Sequence, residues 1–264
     1  MGLNAMIKTK TVKSEVKSAG RALDILELLV QCPAGLNLTD VGEHLSIPLS
    51  SLHNLMNTLL VRGYLKRDEQ ASVYKLSSKL IQLAAVYHSQ HDLVSIADPI
   101  MDGVSRATME ATSLAILQDN AVVFVHKRAA QSFLQVVNPV GTRVMAHATG
   151  LGKVMLAYLD DDELERLYPH EELVTRTAKT ISGRSELKKV LEQVRNAGFA
   201  VDNEESSEGV WAIAAPIRDR NGRALAALSV AAPLSRVREE HKSKWRQVVQ
   251  EAAEEISQAL RLFA

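Results

Sequence analysis

Pro48 stands between two runs of helical periodicity and can belong only to the second. Inside a helix a proline loses a backbone hydrogen bond and clashes with the preceding turn, whereas at a helix start its missing N–H costs nothing. The stretch "SIPLSSLHNLMNTLLVRGYL" must therefore break at "SIP" and restart at Pro48, with Gly63 supplying the stop. Upstream, Thr39 is placed to cap a short helix, "DVGEHLS", with Asp40 in its first turn where the helix dipole favours an acid. An earlier helix is expected from a cap at Ser18 through Val30, with Leu23, Leu26, Leu29 and Val30 at helical spacing and "CPAG" ending it. Helix, short helix, tight turn and helix is the helix-turn-helix order.

In the helix that Pro48 starts, Leu52, Leu55, Met56, Leu59 and Leu60 fall on one arc. Ser50, Ser51, His53, Asn54, Asn57 and Thr58 fall on the other. Ser and Asn form helices poorly because their side chains compete for backbone partners. Their concentration on one face suits contact better than solvation. After Gly63, "YLKRDEQASVYKL" reads as two short strands around a polar turn, a wing carrying Lys66 and Arg67. The expectation is that the Ser50 to Arg62 face enters the major groove of double-stranded DNA, which admits one helix. The bland alternative is a three-helix unit whose polar face meets water.

Charge does not announce a partner: Lys plus Arg and Asp plus Glu are 31 each. Residues 1–93 carry ten basic against eight acidic side chains, and the first 21 hold Lys8, Lys10, Lys13, Lys17 and Arg21 against Glu15. The basic bias is local to an N-terminal arm. A single cysteine, Cys32, excludes an intrachain disulfide and reads as a small buried hydrophobe. No apolar run suits a signal peptide or a membrane span, so a cytoplasmic protein without membrane partners is expected.

From Ser77 to about Gln90, Leu80, Ile81, Leu83, Ala84 and Tyr87 outline a helix leading out of the first domain. The partition expected is 18–77 for the winged domain, 78–92 for a linker helix and 93–264 for a second domain. That domain opens with "LVSIADPIMDGVSRATMEA", bent or restarted at Pro99. "TSLAILQ", "AVVFVHKRA" and "SFLQVVN" read as an antiparallel meander whose first turn is Asp119-Asn120. "GLGKVMLAYL" and "DDELERLY" read as helices, and "SELKKVLEQVRNAG" as a third that starts at a Ser cap and stops at Gly198. "GVWAIAAPIRD" and "RALAALSVAAP" form a second hairpin about "RNG", and a helix from Arg236 to Phe263 closes the chain. The class is α+β.

Local motifs add little. "HATGLGKVML" fails as a phosphate loop at His147 and Val154, although Gly150 and Gly152 at a helix start expose N–H groups that suit an anion. His88 and His91 have metal-like spacing but no completing ligands, so neither a metal nor a cofactor is expected. His126 and His147 lack the context of a catalytic triad with Asp202, and no catalytic residue is assigned. Trp211 reads as core unless a pocket adjoins it.

Read together, "SAGRALDILELL", "LNLTDVGEHLSIPLSSLHNLMNTLLVRGYL", "YKLSSKLIQLA", "MAHATGLGKVMLAYL", "VRNAGFAVDNEESSEGV", "AAPIRDRNG" and "ALSVAAPLSR" resemble the IclR family of bacterial transcriptional regulators over nearly the whole chain. The resemblance implies a winged helix-turn-helix, a linker helix and a GAF-like effector-binding domain with an antiparallel sheet, assembled as dimers or dimers of dimers. It places a small-molecule effector against the Gly150-Leu151 backbone, Asp202, the Ala212 position, Ser229 and Ala231; Trp211, Met145 and Leu151 are further expected nearby. Some relatives carry a polar or thiol side chain where Ala212 stands, and Ser or Gly-rich segments at Ala231 and Ala232. This chain therefore implies a larger, partly apolar or aromatic carboxylate. Relatives often have Lys after the proline and Arg four to five residues later, where this chain has Leu49 and Asn54. Sequence reading is then expected to rest on Ser50, Ser51, His53, Asn54 and Asn57, helped by Lys66 and Arg67.

The reading is an effector-responsive regulator on a near-palindromic operator, without catalytic activity. Its rivals are a ligand-blind DNA-binding protein and a small-molecule enzyme using Asp202 and His147.

Overall fold

The structure, a computed structural model, describes residues 16–68, 70–83, 93–132, 135–136 and 138–263. The chain forms two compact units, Met1–Gln90 and His91–Ala264. In the first, α1 (Lys17–Gln31), α2 (Leu38–Leu45) and α3 (Leu49–Val61) precede a hairpin of β1 (Leu65–Asp68) and β2 (Val73–Leu76). Ile25, Leu28, Val41, Leu52, Met56 and Leu59 form its centre. Pro48 is the cap residue of α3, at φ −56° and ψ 136°, and the helix itself starts one residue later, at Leu49. Ser46, in the left-handed region, ends α2 by donating its N–H to the Gly42 and Glu43 carbonyls. At the far end of α3, Gly63 has φ +77°, its N–H reaches Leu60 O at 2.8 Å, and Tyr64 N–H reaches Leu59 O at 2.8 Å. This paired closure needs a residue that tolerates positive φ and turns the chain directly into the wing.

Three local expectations are corrected here. The cap of α2 is Asn37, whose side chain accepts from the Asp40 N–H at 2.9 Å; Thr39 is already inside the helix. Val16 precedes α1 without a side-chain cap, and Ser18 lies in the first turn. Leu29 is buried as expected, but Leu23 and Val30 are 60% and 59% exposed, and the core takes Ile25 and Leu28 instead. α1 is apolar around more than half its circumference, so periodicity alone could not choose the buried side. Cys32 is half-buried rather than buried. Residues 79–83 are helical. The rest of the expected linker helix, the His88 and His91 pair, and the basic arm through Lys13 lie outside the described residues.

The second unit runs α4 (Leu93–Thr108), β3 (Ala111–Gln118), β4 (Ala121–Arg128), β5 (Arg143–Met145), α5 (Gly150–Leu156), α6 (Asp161–Leu167), α7 (Arg184–Ala197), β6 (Ala200–Asn203), β7 (Val210–Arg218), β8 (Ala224–Pro233) and α8 (Glu239–Phe263). Its six strands form one antiparallel sheet in the order β5-β4-β3-β8-β7-β6. The pairing of β3 with β8 joins the two hairpins. One face, with Leu114, Ile213, Leu228 and Val230, packs under α4 and α8. The other, with Ala115, Phe124, Ala214 and Ala227, packs under α5, whose apolar side continues into α6 and α7. The fold is α+β.

The strand paired with β4 is Arg143–Met145, and the described residues of "SFLQVVN" carry no regular structure. Alternation marks strand-capable chain but not its partner. β6, not anticipated as a separate strand, forms the opposite edge. α4 passes through Pro99 unbroken and ends at Thr108. Gly183, not Ser185, precedes α7; the Ser185 N–H and hydroxyl donate to the Glu171 carboxylate, each at 3.0 Å. α8 begins at Glu239; Arg236 instead closes a short 3-10 turn, Leu234–Arg236, and pairs with the buried Glu110. The turn between β3 and β4 is Asp119-Asn120 as expected, with Asp119 at φ +53°.

Candidate functional site

The first unit presents one polar helical face. Ser50, His53, Asn54 and Asn57 are exposed on α3 and Ser51 is half-buried. Among the described residues the side chains of these five make no hydrogen bond, whereas the Thr58 hydroxyl bonds back to Asn54 O at 2.8 Å. The face thus offers donors and acceptors that the fold has not used. Leu52, Met56 and Leu59 anchor the opposite side. Lys66 and Arg67 are exposed on β1, and alternation along the strand sends them to opposite faces of the ribbon. The Arg67 guanidinium lies 5.8 Å from the Tyr74 ring centroid. Sequence reasoning missed Lys79. Its ammonium donates to Arg62 O at 2.6 Å and sits 4.7 Å from the Tyr64 ring centroid, bracing the end of α3 against the wing. No local signal marked it, because Lys79 follows Arg62 by 17 residues and reaches the helix end only through the fold.

In the second unit, two rows of residues cross the sheet face beneath α5. One row runs Asp202, Ala212, Ala231, Ala111; the next runs Ala200, Ala214, Ser229, Ser113, Lys127. Paired residues share a face. Asp202, Ala212, Ser229 and Ala231 are therefore brought together. Gly150 stands over them: a Cβ there would lie 3.1 Å from Ala200 O and 3.5 Å from Asp202 N. The first turn of α5 rests directly on the strand backbone. Thr149 caps it by accepting from Gly152 N at 3.0 Å. The Leu151 side chain is buried in the core that also holds Ala200 and Ala214 of the second row.

Trp211 leaves this set. It alternates with Ala212 and points through the opposite face, where its ring centroid is 5.9 Å from that of Trp245 on α8. Met145 is half-buried on edge strand β5. Ser113 and Lys127, found through strand register, take places the sequence did not assign. Ser113 faces Ser229 across the ladder, and among the described residues neither hydroxyl has a hydrogen-bond partner. The Lys127 ammonium donates to Val136 O at 3.0 Å, and burial lowers its pKa.

Charge gathers at the β6 end. Asp202 Oδ1 accepts the N–H groups of Glu205 at 2.8 Å and Ser206 at 3.2 Å, which fixes the following loop. Burial raises the pKa of Asp202 despite those bonds. Lys153, on the apolar helix α5, is buried; it donates to Val201 O at 2.6 Å and pairs with Glu205, whose pKa burial also raises. His147 Nε2 bonds Val174 O at 2.9 Å, and burial lowers its pKa. His126 lies under α4, paired with Asp98, whose other oxygen takes Arg128. Asp202, His147 and His126 thus each have separate partners. Among the described residues no three metal-binding side chains cluster, and no helix is long and apolar enough to cross a membrane.

Comparison with known proteins follows the same division. The profile of the IclR helix-turn-helix domain matches residues 18–69, and that of the bacterial transcriptional regulator IclR C-terminal region matches residues 85–258. The chain is 31% identical over 245 residues to the HTH-type transcriptional regulator XynR of Escherichia coli (strain K12), covering 93% of this chain and 97% of that one. It is 33% identical over 242 residues to the HTH-type transcriptional regulator BhcR of Paracoccus denitrificans (strain Pd 1222), covering 92% and 86%. The crystal structure of an IclR homolog complexed with 4-hydroxybenzoate from Microbacterium hydrocarbonoxydans superimposes with a TM-score of 0.82 at 25% identity, over 93% of this chain and 99% of that one.

Proposed function

The chain belongs to the IclR family of bacterial transcriptional regulators and carries its DNA-binding helix-turn-helix domain; from that premise we propose that it is a cytoplasmic, non-catalytic regulator whose DNA affinity is set by a small carboxylate. Residues 18–77 bind DNA, 78–92 link, and 93–264 sense the effector and mediate assembly. Ser50, Ser51, His53, Asn54 and Asn57 read base edges, and Lys66 and Arg67 hold phosphates.

The observation that carries the effector assignment is the pair of rows beneath Gly150. Ala212 and Ala231, both half-buried, and Ala111 make a small-residue floor in one row, while Ser113, Ser229 and Lys127 stand in the next row and Asp202 at the β6 end. Such a floor accommodates a flat ring, and the unengaged hydroxyls suit a carboxylate or phenol. The 4-hydroxybenzoate held by the Microbacterium homolog supports that chemical class. Effector binding acts by favouring one arrangement of the assembly, since a ligand shifts an equilibrium only by its differential affinity.

Assembly as a homodimer, or a dimer of dimers, is supported by α1. Ala19, Leu23, Leu26 and Val30 recur at alternating spacings of four and three, and three of them are exposed on one stripe with Leu26 half-buried. That is the pattern of a helix seam, and a two-fold pair would place two copies of α3 on half-sites about one helical turn apart.

The test is a thermal-shift titration with 4-hydroxybenzoate, other benzoates, glyoxylate and pyruvate, repeated on Ser229→Ala and Asp202→Ala. Binding to the native state raises stability with ligand concentration. A rise with benzoates that both variants lose is expected. Tight binding of glyoxylate or pyruvate with none of the aromatic acids would overturn the class assigned.

A further inference from the structure

Leu49 is the first residue of α3 and is 53% exposed, although Leu52, one turn of the sequence later, is fully buried and already fills the core beneath it. Its exposure is not that of a loose side chain. Leu49 Cδ2 lies 3.5 Å from where a Cβ on Gly42 would stand, so one methyl rests in the notch between α2 and α3 while the rest projects outward. On the helical wheel Leu49 lies 40° from His53, its neighbour one turn on, and it is adjacent in sequence to Ser50. An apolar tip therefore sits among polar side chains that have no partner among the described residues. It occupies the first turn of the helix, the part whose side chains approach base edges in helix-turn-helix complexes. The other exposed apolar residue of α3, Val61, is about 18 Å further along the axis, in the last turn.

Along the major-groove edges of the bases, the apolar feature is the 5-methyl group of thymine. We propose that Leu49 packs against a thymine methyl in each half-site, making an A·T pair at that position part of the recognised sequence. The proposal rests on α3 being the reading helix.

The experiment begins by selecting binding sites from a random-sequence duplex library with the full-length protein. Each thymine of the selected duplex is then replaced singly by deoxyuridine, which keeps every hydrogen-bonding group and removes only the methyl. Wild type should lose about fourfold in affinity at one symmetric position per half-site, and about fifteenfold when both are replaced, the equivalent of one buried methyl each. Leu49→Ala should bind thymine and deoxyuridine duplexes equally at that position, and Leu49→Met should retain the discrimination.

Indifference of wild type to deoxyuridine at every position overturns the proposal without reference to any variant. Equal discrimination by wild type and Leu49→Ala assigns the methyl to another residue and also overturns it. If instead no sequence is enriched, or Asn54→Ala leaves selection unchanged, the reading of α3 itself has failed. That outcome is distinct from a helix that selects sites but ignores the methyl.

Discussion

The Lys153 ammonium and the Glu205 carboxylate are paired at 4% and 12% side-chain exposure, tying α5 to the loop after β6. The ammonium is further held by Val201 O, while Glu205 Oε2 is buried without a hydrogen-bond partner among the described residues. Removing one member of such a pair strands the other charge in a low-dielectric site. Lys153→Met is expected to destabilise the second unit by about 3–5 kcal/mol in denaturant unfolding. Adding Glu205→Gln should recover part of that loss, and equal stability of the single and double variants would show that the pair is not coupled.

Asp202 is expected to place a pH signature on stability. Burial raises its pKa in the folded state. Above the ordinary carboxylate value of about 4, the folded protein keeps a proton that the unfolded chain has released. Stability therefore falls as pH rises through that window, and the whole penalty is present beyond the raised folded value. Asp202→Asn preserves an oxygen for the Glu205 and Ser206 N–H groups and removes the charge. It should unfold at a higher temperature than wild type at pH 7, with the difference shrinking towards pH 4; a difference that grew in acid would contradict the argument.

Asn54 is exposed on α3 and contributes its backbone carbonyl, not its side chain, to the Thr58 hydroxyl bond. Asn54→Ala should leave folding unchanged within about 0.5 kcal/mol. Binding to a selected operator should weaken by about 1–3 kcal/mol for a lost bidentate base contact, while random-sequence DNA is bound nearly as before. Uniform weakening on both DNAs would reassign Asn54 to phosphate contact.

Leu23 lies at the middle of the exposed stripe on α1 and takes no part in the buried core. Leu23→Glu should unfold like wild type and bind a single half-site equally well, yet lose the added affinity for two half-sites measured by quantitative mobility shift. Unaltered cooperativity would remove α1 from the dimer interface.

The winged domain was the most legible part of the chain because its boundaries are set by local stereochemistry. Pro48 must start a helix, Gly63 must accept positive φ, and the closure through Tyr64 N–H then aims the chain into β1. α1 was legible as a helix but not in orientation, since Leu23 and Ile25 are equally apolar and only packing exposes one and buries the other. In the second unit, Asp202, Ala212, Ser229 and Ala231 were assembled by resemblance, and strand register brings them onto one face. Ser113 and Lys127 carried no signal of their own, because partnership across β3, β4 and β8 is a long-range property.

The sequence by itself determined which stretches form helices and most of the strands, that two units follow one another, and that the first has helix-turn-helix order, while several element starts and the edge strands β5 and β6 emerged only in the structure. What it determined follows from backbone chemistry within a few residues. Tertiary structure decided which side of each element faces which neighbour. β7 reads "VWAIAAPIR", apolar at nearly every position, because helices cover both faces of the sheet. Without a polar-apolar alternation, nothing local says whether Trp211 or Ala212 faces the effector rows. The pairing of β6, β7, β8 and β3 fixes that choice, sending Trp211 to Trp245 and Ala212 into line with Asp202.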